Sequence, residues 1–534
     1  MKKLPLGIQT FLKLREENCV YVDKTKHIYQ LIQGSCYFFA RPRRFGKSIL
    51  CSTLVSLFQG KKELFEDLWI RKNTDYIFPV HPVIHIDFGN ISIKSPEIFT
   101  QELVNYLYDI AQKEELIDFE KTTSGTMLQR LLFQLVKKYN NKKVVLIIDE
   151  YDRPILHHLT SPDSLKEMQA IIRDFYTCIK AMDQYLQFLF VTGISRFSKT
   201  NLFSGFNQIS DISMDPQFAH LVGYTEEELN TTLAEHMIVA ANRCKLSIEA
   251  FKEKTKLYYN GYRFWKDLFE EINGSYDLPR VYNPYSMMNN LHNPTFEYYW
   301  FESGTPTFLI NLFKRDRYQV ESFDNLSISE EELGAFEPET LPLNTLLYQT
   351  GYLTIKEYNK QRKNFIITYP NIEVKEAFLE RILVWLSSVQ KGKYNDCAYL
   401  LREALYHNKL EDFIETLKTF YVAIPYTIQM EYEKYYQTIF YIILTLLGIK
   451  IDVEVATNIG RIDALIKTEN FIYFVEFKLN ADASKALEQI KTKKYFEQYQ
   501  HDKRPIMLIG IVFDTKEKNI TDVKIEKQNL HQLT

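Results

Sequence analysis

Two apolar runs, VVLIIDE (144–150) and FLFVTGI (188–194), constrain the fold of this chain more than any other feature. Neither alternates polar with apolar positions, so each strand must be covered on both faces. The amphipathic stretch SLKEMQAIIRDFYTCIKAM (164–182) lies between them. Earlier runs of the same kind, SCYFFA (35–40) and HPVIHIDF (81–88), are followed by helical patterns such as FTQELVNYLYDIAQ (99–112). Buried strands alternating with helices predict an α/β domain built on a parallel sheet with helices on both sides.

The chain has 534 residues, 46% of them hydrophobic, enough for two or three cores. Pattern changes place boundaries near 222/223 and 375/376, giving an α/β domain over 1–222, a helical lid or middle region over 223–375 and an αβ unit over 376–534. The middle region opens on GYTEEELNTTLAEHM (223–237), with Thr225 and Glu228 at capping-box spacing. The last part reads helix (431–448), strands (450–457, 461–468, 471–479), helix (483–499), strand (504–514) and a final strand near 522–527. A net charge of −3 gives no global attraction to nucleic acid, so any such contact needs a local patch. The six cysteines are scattered without zinc spacing, which fits a reducing cytoplasm. IFYIILTLLG (439–448) is too short to span a bilayer, so a soluble chain with no membrane partner is expected.

The segment FFARPRRFGKSILCS (38–52) leads from the first strand into a helical pattern. Strand, FGKS turn and helix form the context of a phosphate-binding loop, whose backbone N–H groups and helix N-terminus surround phosphate. Lys47 is expected at the β/γ-phosphates and Ser48 on Mg²⁺. Arg41 stands where the general G-x-x-x-x-G-K-[ST] loop has its first glycine, and Arg41, Arg43 and Arg44 are candidates for bidentate phosphate contacts. Asp149 and Glu150, ejected at the carboxyl end of a buried strand, are expected to orient Mg²⁺ and to polarise the attacking water. Thr192, Ser195 and Arg196 end the next strand, where a polar tip senses the γ-phosphate in additional-strand ATPases. The expected nucleotide-contacting set is Arg44, Phe45, Gly46, Lys47, Ser48, Ile49, Asp149, Thr192 and Arg196, with ATP and Mg²⁺ as cofactors.

At these residues the sequence resembles bacterial AAA-ATPase-like proteins with a carboxyl-terminal PD-(D/E)xK nuclease-like domain. YVDKTKHIYQLI, RPRRFGKSILCSTL, HPVIHIDF, LIIDEYDRPI and FVTGISRFSKTNLFSGFN carry the resemblance through the first domain. YNGYRF, VYNPYSMMN, YYWFESGTPTFLI and LLYQTGYLTI carry it through the middle. The family's own loop resembles RPRRFGKS, so Arg41 departs from the general loop and not from this family. The implied architecture is a P-loop NTPase domain of AAA-like type, a helical middle region and a restriction-endonuclease-like αβ domain.

In GRIDALIKTENFIYFVEFKLN (460–480), Glu476 and Lys478 lie two apart on one strand and therefore share a face. A hairpin through TEN (468–470) brings Asp463 beside Glu476. Two carboxylates suit a hard cation, and a neighbouring lysine suits activation of water or stabilisation of a phosphate in phosphodiester hydrolysis. The set Asp463, Glu476 and Lys478 is similar to the PD-(D/E)xK motif, with RID in place of the proline. Glu433 is similar to the family's additional acidic ligand, with Glu431 as a competitor. Gln489 is expected to face the site, and Lys491, Lys493 and Lys494 to form a basic stripe. His81, His85, His157 and His158, read without cysteines or spaced carboxylates near them, are surface or core histidines. The resulting function is a bacterial hydrolase, an ATPase coupled to a Mg²⁺-dependent nuclease acting on nucleic acid, DNA ahead of RNA. The alternative is a nucleotide-switched interaction protein that binds nucleic acid or a partner without cutting. A second copy of the chain is an admitted partner.

Overall fold

The computed structural model describes residues 1–159, 161–197, 209–265, 280–300, 323–334, 342–359, 361–387, 391–425, 432–456, 461–499 and 501–528. Glu431 and the parts of FVTGISRFSKTNLFSGFN and YYWFESGTPTFLI beyond Phe197 and Trp300 lie outside the described residues. The chain divides into two compact units, Met1–Phe313 with Asp324–Lys375 and Lys314–Phe323 with Glu376–Thr534.

In the first unit the apolar runs become β1 (Cys36–Ala40), β2 (Val83–Asp87), β3 (Val144–Asp149) and β4 (Leu186–Gly193), joined by a short β5 (Ser210–Asp211). The sheet order is β2-β3-β4-β1-β5 and every pairing is parallel. β3 is buried at all its positions, as a strand without alternation must be. Insertion of β4 between β1 and β3 gathers three strand ends at one edge. The loops there are stitched by Arg41 N–H to Gly193 O (3.1 Å) and Tyr151 N–H to Thr192 O (3.1 Å). The helix Pro162–Ala181 buries Leu165, Met168, Ile172, Phe175 and Ile179, a stripe at three-to-four spacing.

The middle of the chain is helical, with Glu226–Thr231, Ala234–Arg243, Ile248–Tyr259 and Pro284–His292. Thr225 and Glu228 close the capping box that their spacing predicts. The structure adds a three-stranded antiparallel sheet, β6 (Leu326–Ser329), β7 (Thr354–Asn359) and β8 (Asn364–Thr368), in the order β6-β8-β7.

The second unit holds a mixed sheet of β9 (Lys450–Ala456), β10 (Arg461–Lys467), β11 (Ile472–Leu479), β12 (Ile506–Asp514) and β13 (Asn519–Gln528). Its order is β13-β12-β11-β10-β9, with only β11 and β12 parallel, as their connection through the helix Ala483–Thr492 requires. That helix packs Leu487 and Ile490 with Phe474, Ile472 and Leu508. It ends earlier than the helical pattern suggests because Lys494 takes φ 46°, in the left-handed region. No helix among the described residues is long and apolar enough to cross a membrane.

Candidate functional site

The loop after β1 turns with Arg44 at φ 65° and Gly46 at φ 93°, the latter capping the helix Lys47–Phe58. Only glycine adopts that conformation readily, and nothing lies within 4 Å of the Cβ it lacks. Among the described residues, the backbone N–H groups from Arg43 to Ile49 donate to no protein acceptor. This is a row of donors at a helix N-terminus, with open space beside Gly46.

The side chains around this cradle are largely occupied, with Arg41 Nε and Nη2 and Arg196 Nη1 buried and without a partner. Lys47 is buried, and its Nζ donates to the carbonyls of Arg41 and Pro42, each at 2.9 Å. Burial lowers its ammonium, against the raising influence of Asp149, Asp152 and Glu150. Ser48 Oγ donates to Asp149 Oδ2 (2.8 Å), and the Glu150 N–H donates to Asp149 Oδ1 (2.9 Å). Burial, Asp149 and Asp87 push the Glu150 carboxyl up, and Arg153 lies 3.8 Å from it. Thr192 donates its hydroxyl to Phe39 O (2.7 Å). Arg196 donates Nε and Nη2 to Asp211 Oδ2 at 3.0 and 2.8 Å, so a phosphate contact from Arg196 requires breaking that pair. Phe45 packs edge-on against Tyr262 and Phe264, and Ile49 is the third residue of the helix.

The three loop arginines divide. Arg41 is 2% exposed, donates Nη1 to Ala40 O and Ser213 O, and lies between the rings of Phe39 and Phe264. It is a buried brace of the loop, its guanidinium engaged by carbonyls and rings of the protein. Arg44 stacks 3.7 Å from the centroid of Tyr285 and donates to Tyr299 O, which holds its left-handed backbone in place. Arg43 is exposed.

Sequence reasoning passed over two acidic residues here. Asp87 ends β2 in register with Asp149, and burial pushes its carboxyl up. Asp152 is buried and accepts the Ile194 and Ser195 amides at 3.0 and 2.6 Å, fixing the turn after β4. HIDF repeats the form of IIDE, an acid at the end of an apolar strand, and this was the available signal. The reading of His85 as a histidine without a nearby cysteine or carboxylate is corrected: the sheet and helix bring Cys51 and Asp149 to it. His158 Nε2 donates to Ile93 O and His81 Nδ1 to Lys143 O, both within ordinary packing.

In the second unit Asp463, Glu476, Lys478 and Glu433 come together. The β10–β11 ladder pairs Ala464 with Val475, and one step further Asp463 Oδ2 takes the Phe477 N–H at 2.8 Å. The carboxylate thus replaces a ladder carbonyl where the strands open. Phe477 points to the opposite face, against Phe440 and Phe513. Lys478 Nζ donates to Glu476 Oε1 and to Phe477 O, both at 3.0 Å, and Gln489 Nε2 also donates to Glu476 Oε1. Glu476 is 1% exposed, and its Oε2 has no hydrogen-bond partner. Burial and the neighbouring Asp463 charge push its carboxyl up to about 7. Burial also raises Asp463. Glu433 starts the helix Glu433–Leu446, where burial and Asp463 raise it while the Leu479 amide lowers it. Burial opposes the charge on Lys478, but Glu476, Asp463 and Glu433 outweigh it and raise the ammonium. Of the expected basic stripe, Lys491 pairs with Glu526 and Lys494 with Glu497.

Residues 5–203 match the family model of a predicted AAA-ATPase, and residues 431–523 match the PD-(D/E)XK nuclease superfamily. A protein of Azotobacter chroococcum mcd 1, named "Uncharacterized protein in vnfD 5'region", is 32% identical over 540 residues, covering 98% of this chain and 99% of its own length. The chain belongs to the family of AAA-ATPase-like proteins with a carboxyl-terminal PD-(D/E)xK nuclease-like domain. The AAA-ATPase-like match spans β1 to β4 and the loop with its free amides. The nuclease-like match spans all four residues of the carboxylate–lysine cluster.

Proposed function

We propose that the chain is an ATP-binding ATPase whose carboxyl-terminal domain is a divalent-metal-dependent nuclease acting on nucleic acid phosphodiesters. The observation that carries the nuclease reading is the buried, unpartnered Glu476 Oε2 beside Asp463 and Lys478. A buried carboxylate oxygen without a donor costs free energy that a cation repays, so the residues fit a hard divalent ion. Asp463 and Glu476 would hold it, with Glu433 as a further ligand, and its charge would polarise the phosphodiester and the attacking water. Lys478, held by Glu476 and Phe477 O, is placed to meet negative charge growing on the phosphate. Gln489 fixes the Glu476 carboxylate.

For the nucleotide, the free amides from Arg43 to Ile49 support a triphosphate cradle. Lys47 would leave the Arg41 and Pro42 carbonyls for the β/γ-phosphates, and Ser48 and Asp149 would hold Mg²⁺. Glu150, its carboxyl already raised, would orient the water. Thr192 and Arg196 are assigned to sensing the γ-phosphate, with release of Asp211 as part of that event. We assign 1–222, 223–375 and 376–534 to the ATPase domain, the middle region and the nuclease domain, and place the protein in the cytoplasm with DNA as substrate.

The test is cleavage of plasmid and single-stranded DNA with Mg²⁺ or Mn²⁺, with and without ATP, beside Lys478→Ala. Metal-dependent cleavage lost in the variant is expected. Equal background in both proteins, together with retained ATP binding, favours the nucleotide-switched binding protein.

A further inference from the structure

The helix that follows the phosphate loop crosses β3 and β2 and carries Cys51, three residues after Ser48. His85 and Asp87 project from the same face of β2, and Asp149 ends the adjoining β3. The donor atoms of Cys51, His85 and Asp149 all lie within 4.8 Å of one another, and among the described residues this is the one triad of its kind. Cys51 is fully buried, and no hydrogen bond engages its thiol among the described residues. His85 Nε2 is enclosed and has no hydrogen-bond partner. An enclosed imidazole nitrogen left without a partner costs free energy that a ligand bound to it removes. Asp149 already accepts from Ser48 and from the Glu150 amide, one on each oxygen, and each oxygen keeps a second lone pair.

Sulfur, imidazole nitrogen and carboxylate oxygen form a donor set for a borderline-soft cation in tetrahedral coordination, with water in the fourth place. Bonds of about 2.0–2.3 Å put the donors of a filled site roughly 3.3–3.8 Å apart, a span that small side-chain movements reach from donors within 4.8 Å. Mg²⁺ is a poor match, because thiol and imidazole replace the oxygens it prefers.

We propose that Cys51, His85 and Asp149 form a transition-metal site that takes Zn²⁺, or Co²⁺ in its place, directly behind the phosphate loop. On loading, the sulfur–metal bond forms as the thiol proton passes to solvent, and no group is oxidised or reduced. A metal here takes up the Asp149 carboxylate that Mg²⁺ would need, so Zn²⁺ antagonises Mg²⁺ and nucleotide. That consequence rests on the nucleotide reading above; the metal site itself does not.

The experiment titrates the full, nucleotide-free chain with Co²⁺, following thiolate-to-cobalt charge transfer in the near ultraviolet and the visible bands of tetrahedral cobalt. Zn²⁺ is then added as competitor. One equivalent of Co²⁺ producing both bands, displaced by Zn²⁺, is expected. Cys51→Ser should abolish the charge-transfer band, and His85→Gln should weaken binding by at least about tenfold. The proposal is overturned if wild type shows no such bands, or if they survive in both variants, because the other cysteines then hold the metal. Thermal unfolding checks that the variants fold. If Cys51→Ser does not, unchanged cobalt affinity in His85→Gln alone overturns the site. Nucleotide affinity is measured with and without Zn²⁺ in parallel. Absence of nucleotide binding removes the ATP reading and leaves the cobalt result standing.

Discussion

At the phosphate loop Lys47 rests on two carbonyls, Ser48 on Asp149 and Arg196 on Asp211, with guanidinium nitrogens of Arg41 and Arg196 left without a partner, while the backbone amides stand free. At the β10–β11 cluster the Phe477 amide is held by Asp463, and the open atom is a carboxylate oxygen. There Glu476 keeps an open oxygen and a carboxyl raised to about 7, beside an Asp463 that burial also raises. The first arrangement is stable when empty and must exchange contacts to take a ligand. The second holds like charges together at a cost to folding, and either a cation or a proton relieves it. The contrast shows that a binding site can store its readiness in the backbone or in the side chains, with opposite consequences for stability.

The largest expected effect tests the second arrangement. Glu476→Gln removes a cation ligand and should lower metal-dependent cleavage at least about 1,000-fold, the equivalent of roughly 4 kcal/mol of lost charge stabilisation. The same change should raise the metal-free thermal midpoint, because a neutral amide replaces a desolvated carboxylate. Asp149→Asn should do the reverse, since one amide cannot accept from both Ser48 and the Glu150 N–H. Unfolding curves that shift in the same direction for both variants would break the contrast. Next, Glu150→Gln keeps the shape of the side chain and loses the base, so ATP turnover should fall about 100-fold with affinity unchanged. Single-turnover and equilibrium binding measurements separate the two quantities.

The strands and both constellations were legible because unbroken apolar runs and two-residue alternation leave few ways to fold. VVLIIDE could only be a central strand, and EFK could only place Glu476 and Lys478 on one face. Partners distant in sequence were not legible. Nothing local says that Arg41 packs between Phe39 and Phe264, that Asp152 holds the turn after β4, or that Cys51 meets His85. Each depends on strand order, which brings together residues tens to hundreds of positions apart. Charge was also misleading by itself: the lysines following Gln489 read as a free stripe, yet Lys491 and Lys494 are matched by Glu526 and Glu497.

Arg41 gives a sharper test of the first arrangement. Arg41→Gly restores the residue of the general loop and so looks like a repair. In this fold it removes two hydrogen bonds to carbonyls and two cation–π contacts, and it should destabilise the first unit by about 2 kcal/mol or more without tightening nucleotide binding. Denaturant unfolding measures the loss, and a variant that binds ATP more tightly would show that Arg41 obstructs the cradle. Lys47→Ala should lower ATP affinity about tenfold by calorimetry, a modest loss because the amides remain. Unchanged affinity would leave Lys47 as a brace for the loop alone.

The smallest effect is in pH dependence, and its sign follows from the direction of the shifts. The Glu476 carboxyl titrates near 7 in the folded chain against 4.5 for the ordinary group. Between about pH 4.5 and 7 the folded state therefore binds more protons than the unfolded state, and stability falls as pH rises through that window. Asp463 and Glu433, both raised, act in the same direction. Lys478 is also raised, but its stabilising contribution is lost only in the alkaline range and does not enter this window. The wild-type midpoint, measured without metal and referred to Glu476→Gln under the same buffers, should drop by a few degrees from pH 5 to pH 8. Saturating Mg²⁺ should remove most of that drop at pH 8, because the cation binds the ionised form that alkaline pH exposes. A wild-type curve parallel to that of Glu476→Gln across the range would mean that the carboxyl is already relieved within the protein, and the contrast between the two sites would lose its physical basis.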